Sequence, residues 1–78
     1  MGRAGRALRT VLERYGISQN QLAIAIGVDR SNVSRWVSEN IDPSAEAAFK
    51  IKNALERLDP AAAEDFVTLY FYAEEQDL

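Results

Sequence analysis

The sequence predicts an all-α fold of five short helices, and three observations carry that expectation. Apolar residues recur with the 3.6-residue period in segment after segment, whereas no stretch alternates with period two long enough to form a strand. Four of the five periodic segments open on a capping residue and several close on glycine or proline. The 78 residues contain no internal repeat or low-complexity tract, so they make one domain, 1–78, with one modest core.

Leu8, Val11, Leu12 and Tyr15 form the stripe of the first helix, and Gly16 supplies the left-handed residue that ends it. Ser18 with Gln21 makes a capping box for the second helix, and Ile17 with Leu22 makes its hydrophobic staple. This helix runs to about Ile26 and stops at Gly27. Asp29 is the predicted cap of the third helix, with Val28 and Val33 as staple, and the helix fades near Ser38. After the polar connection Glu39–Pro43, Ser44 caps a fourth helix with Ala48, Ile51, Leu55 and Leu58 on its stripe. Asp59-Pro60 places proline at the first helical position of the fifth, where its missing N–H costs nothing. That helix is expected to end near Ala73. The acids Glu74, Glu75 and Asp77 stand at its negative end, so the tail 74–78 is expected to fray.

Composition narrows the function. With no cysteine and no histidine, the chain has no thiolate or imidazole for a zinc site, a disulfide or a histidine-based triad. The serines therefore lack a base, and adjacent carboxylates such as Glu64 and Asp65 point to different sides of a helix. No catalysis, metal, cofactor or small-molecule ligand is expected. The longest apolar or glycine run, Leu22–Val28, is far below the ~20 residues of a membrane span. No membrane association is expected, nor a secretory leader, because the basic start has no apolar segment behind it. The net charge of −3 is unevenly spread. Residues 1–38 carry six arginines against two acids, leaving +4, and residues 39–78 carry three bases against ten acids, leaving −7. Such an asymmetry hints at one side facing nucleic acid.

The stretch Gln19–Ser38 is the most informative. Two helices joined by a three- or four-residue turn cross steeply only if both bury apolar residues, the crossing point is small and the turn tolerates positive φ. Leu22, Ile26, Val28, Val33 and Trp36 are the predicted inward positions, Ala23 the small crossing residue and Gly27 the turn residue. Together they specify a helix-turn-helix unit over about 18–38. Trp36 could offer a stacking platform for bases, but its place in the motif predicts packing instead.

On these residues the chain resembles the lambda-repressor-like helix-turn-helix domains of the Cro and Xre type. The likeness rests on Ile17–Ala23, on Gly27–Trp36 and on Pro43-Ser44, and spans about residues 6–72. It implies a five-helix DNA-binding domain of bacterial or phage origin, acting in the cytoplasm at the nucleoid. The implied partner is double-stranded DNA with a pseudo-palindromic operator, bound by a homodimeric transcriptional regulator, a repressor. In such units the third helix lies in the major groove and its N-terminal residues meet base edges. Arg30, Ser31, Ser34 and Arg35 are accordingly the candidate base-reading residues. Gln19, Asn32, Arg3 and Arg6 are the candidate phosphate contacts, Gln19 because it opens a helix and, by resemblance, braced against Arg30.

Two departures from the family pattern stand out. Where relatives often carry a basic loop after the third helix, this chain has Ser38-Glu39-Asn40-Ile41-Asp42, which removes a backbone clamp and predicts a shallow salt dependence. Arg3, Arg6 and Arg9 are the available substitutes, or else form a solvated face. Lys52 stands where a small apolar residue is usual and is expected to snorkel outward.

The fifth helix carries more apolar surface than one face can hold. Phe66, Leu69, Tyr70 and Ala73 make one stripe, and Val67, Phe71 and Tyr72 cover a second side. Either the other helices clasp it, or it forms a two-fold dimer through Phe66, Val67, Tyr70 and Phe71. That helix and the acidic loop also support an alternative function: a protein-interaction module, such as an antitoxin or adaptor, with weak or no DNA binding.

Overall fold

The computed structural model describes residues 3–38 and 41–76, with side chains for 4–38 and 41–71. Five helices follow in order: α1 (Arg3–Tyr15), α2 (Gln19–Ile26), α3 (Arg30–Ser38), α4 (Ala45–Leu58) and α5 (Pro60–Gln76). Among the described residues there is no strand. The helix α1 packs on α3 and α5, α2 packs on α3 and α4, and α4 packs on α5. Each helix contributes a fully buried side chain to one shared core: Leu8 and Val11, Leu22, Val33, Ile51 and Leu55, and Phe66.

Local chemistry sets the boundaries. Gly16 adopts φ +65°, and the Ile17 N–H reaches back to the Leu12 carbonyl at 3.0 Å, closing α1 as a Schellman turn. The capping box of α2 is complete: Ser18 Oγ accepts from the Gln21 N–H at 3.0 Å, and Gln21 Oε1 accepts from the Ser18 N–H at 2.9 Å. Ser44 Oγ caps α4 through the Ala47 N–H at 3.1 Å. Asp59 serves two helices at once. Its N–H closes α4 on the Leu55 carbonyl at 2.7 Å, and its Oδ1 accepts from the Ala61 N–H at 3.1 Å.

Four expectations need correction. Asp29 stands at the N-cap position of α3, but the bond that closes the first turn is from the Asn32 N–H to its backbone carbonyl, at 3.0 Å. Leu58, placed on the core stripe of α4, is 40% exposed, while Ala54 is buried. Leu58 is the last residue of α4, where the chain turns away at Asp59 and leaves the core behind. In α3 the second buried position is Val37, at 7% exposure, whereas Ile26, Val28 and Trp36 are half-buried against the core. Finally, α5 continues past Ala73 to Gln76; the side chains of Tyr72–Gln76, and Asp77 and Leu78 altogether, lie outside the described residues.

A close approach that sequence periodicity did not reveal holds α1 against α3. Gly5 is buried inside α1, and a Cβ there would overlap the Trp36 carbonyl. Glycine in a helix interior costs roughly 0.5–1 kcal/mol relative to alanine, so its presence in α1 is the signal that could have found this contact. At the other end of α1, the Tyr15 hydroxyl donates to Asp65 Oδ2 at 2.7 Å and Arg14 Nη1 donates to the same oxygen at 2.9 Å, fastening α1 to α5. The hydroxyl and then the guanidinium hold the Asp65 carboxyl below its ordinary value of 3.8. The same bond to Asp65, followed by partial burial, raises the Tyr15 phenol above 10.0.

Candidate nucleic-acid interface

The turn between α2 and α3 is three residues long, Gly27–Asp29, and begins with Gly27 at φ +89°. Both the Gly27 and the Val28 N–H groups donate to the Ala23 carbonyl, at 2.8 and 3.1 Å, so the chain leaves α2 sharply. Ala23 itself is buried, as a crossing point demands. From this turn α3 emerges with Val33 and Val37, four residues apart, directed into the core.

The other side of α3 faces outward. Arg30, Ser31 and Arg35 are exposed and Ser34 is half-buried, and these four line one open depression together with Gln19 from the start of α2. The structure therefore brings together the four candidate base-reading residues and one of the candidate phosphate contacts. Arg35 Nη2 donates to Asn32 Oδ1 at 3.3 Å, so the amide of Asn32 steadies a guanidinium one turn further along. No hydrogen bond joins Gln19 to Arg30 among the described residues; the two share the depression without bracing each other.

Gln19 also lines a second, adjoining depression with Arg9, Leu12, Glu13, Ile17, Ser18, Val37 and Ser38. This one lies between α1 and the start of α2, where free N–H groups and the positive helix end favour an anion. Arg9 thus borders the outward face of the helix-turn-helix. Arg6 is exposed one turn earlier, and the side chain of Arg3 lies outside the described residues. The signal for Arg9 was its three-residue spacing from Arg6, but spacing alone cannot say which turn of α1 reaches α2. In the loop after α3, Glu39 and Asn40 lie outside the described residues, while Ile41 and Asp42 are exposed.

Trp36 is turned away from this face. It lines a separate groove with Ile26, Val28, Ser44, Glu46, Ala47 and Lys50, between the turn and the start of α4. There it packs against the edge of the core and stays half-buried. Lys52 is half-exposed with its Nζ 3.6 Å from Glu56 Oε1. On α5, Phe66 is only 1% exposed and sits in the core of its own chain, so it is removed from the candidate dimer face. Tyr70 stacks on it with centroids 6.0 Å apart, and Phe71, 5.1 Å from Tyr70, is 64% exposed. Val67 is half-buried.

A five-helix fold with a capped short helix, a glycine turn and an outward basic helix defines a helix-turn-helix nucleic-acid-binding unit. Comparison with known families agrees: a helix-turn-helix family model matches residues 8–61. The chain belongs to that family, the lambda-repressor-like helix-turn-helix domains of the Cro and Xre type. It is a DNA-binding helix-turn-helix regulator, directed at double-stranded DNA, in a family that is generally non-enzymatic. No curated protein matches the chain, and no solved structure does. Among the described residues no helix is long and apolar enough to cross a membrane.

Proposed function

We propose that this protein is a sequence-specific transcriptional repressor of bacterial or phage origin, working at the nucleoid as a homodimer with α3 of each copy in the major groove. One observation carries the proposal: Arg30, Ser31, Ser34, Arg35 and Gln19 converge on a single open face while the valines of α3 anchor it from behind. Arginine gives bidentate bonds to guanine and serine bonds either kind of base edge, so this set can discriminate sequence. Gln19, Asn32, Arg6 and Arg3 are assigned to the phosphates on either side, and Arg9 joins them because its depression adjoins that of the reading residues at Gln19. The dimer is assigned to Val67, Tyr70 and Phe71, which lie at i, i+3 and i+4 on α5. Two-fold symmetry then places the half-sites about 34–36 Å apart on a pseudo-palindromic operator.

Titration of selected operator and random duplex against single variants tests the residue roles. Arg30→Ala and Arg35→Ala are expected to cost about 1–3 kcal/mol of discrimination each, whereas Arg9→Ala weakens both duplexes alike and lowers the salt slope by about 1. Equal loss on both duplexes from Arg30→Ala makes it a phosphate contact instead. The exposure of Phe71 favours a second function, a module that docks a different protein. A chain that is monomeric by light scattering, binds no DNA and captures one such protein has that function.

A further inference from the structure

The helix α3 packs on α2 and α1, so whatever fixes the end of α2 fixes where α3 begins. α2 has only eight residues and no basic residue in its last turn. A helix this short is marginal by itself, and its final carbonyls have no partner within the helix. One of them is met from elsewhere in the fold: the guanidinium of Arg57, in the last turn of α4, donates through Nη2 to the Ala25 carbonyl. That carbonyl lies two residues before Gly27, the hinge of the turn. A cation at the negative end of a helix is favourable, and a charged donor strengthens the hydrogen bond.

We propose that Arg57 is a positioning residue for sequence recognition. It clamps the C-terminal end of α2 onto α4, holds the Gly27–Asp29 turn at one angle, and thereby sets the depth and tilt at which Arg30 and Ser31 meet DNA. Gly5 fixes the other end of α3 against α1, so the reading helix is fastened at both ends. Arg57 acts through α2 and touches no base. This inference rests on the proposed DNA-reading role of α3.

Two measurements on Arg57→Ala and Arg57→Lys test it. In Arg57→Ala the affinity for selected operator is expected to fall roughly tenfold, with random-duplex affinity and the salt slope unchanged and with recovery in Arg57→Lys. A parallel loss on random duplex with a lower salt slope would show a direct phosphate contact and overturn the proposal. Amide hydrogen exchange without DNA provides the second readout: the hydrogen-bonded amides of the turn, Gly27, Val28 and Asn32, are expected to exchange faster in Arg57→Ala while the amides of Leu8 and Ile51 keep their protection. Uniform acceleration across all helices, or none at the turn, refutes the clamp whether or not the wild-type protein selects a sequence. A wild-type protein without sequence preference that still shows the local acceleration contradicts the DNA-reading role and leaves the clamp standing.

Discussion

The helix-turn-helix unit and α5 solve opposite problems. α3 has nine residues, two buried valines and a half-buried tryptophan on a side turned toward α4, and its outward face carries polar groups. α5 has seventeen residues, with apolar side chains around much of its circumference. Ala62, Ala63 and Phe66 disappear into the core, Val67, Leu69 and Tyr70 are half-covered, and Phe71 is left largely bare. A helix with one narrow apolar stripe has a unique orientation, and its outward face can be devoted to recognition. A helix apolar on several sides does not declare which side its own chain will take.

Separating Phe66 from Phe71 is the sharpest way to break this comparison. Phe66→Ala empties a fully buried site and is expected to cost about 3–5 kcal/mol, a large share of the roughly 5–15 kcal/mol available to a domain. Phe71→Ala, on the exposed side, is expected to leave thermal unfolding nearly unchanged while weakening self-association in sedimentation. Equal effects of the two on unfolding would erase the division of α5 into core and surface sides.

The unit's own weak point is the α1 crossing. Gly5→Ala drives a Cβ into the Trp36 carbonyl, a backbone atom that cannot swing aside. A loss of about 1–3 kcal/mol in denaturant unfolding is expected, together with reduced operator affinity as α3 shifts. Unchanged stability would mean that α1 and α3 stand further apart than the structure has them.

The smallest effect concerns how α5 is held to α1. Because its partners depress the folded-state pKa of Asp65, the stability it contributes is present above its ordinary value of 3.8 and is lost as pH falls through the lower folded value. Asp65→Asn is expected to lower stability at neutral pH and flatten this acid limb. The Tyr15 phenol titrates the other way: its raised pKa means a contribution present below 10.0 and lost as pH climbs through the higher folded value. Urea midpoints across acidic and alkaline pH measure both limbs, and identical profiles for wild type and Asp65→Asn would contradict the link.

The same contrast explains what was legible in the sequence. Ser18, Gln21, Gly27 and Ser44 act through hydrogen bonds and backbone angles within a few residues, so their roles could be read before any tertiary structure was known. The grouping of Arg30, Ser31, Ser34 and Arg35 follows from the place of α3 in the helix-turn-helix motif together with helical spacing. The burial of Phe66 and Val37 and the exposure of Leu58 are not legible in the same way, because periodicity places a residue on a face without saying how far a neighbouring helix extends over it. Gly5, Arg9 and Arg57 act across pairs of helices, Arg57 over a separation of 32 residues, and no local pattern encodes such a meeting.

Selection of binding sequences from a random DNA pool, followed by titration of the selected duplex against random duplex at moderate salt, tests the central claim most directly. A pseudo-palindromic sequence bound at least about tenfold more tightly than random duplex is the expected result. Binding without preference for any sequence would contradict the assignment of α3 as a reading helix.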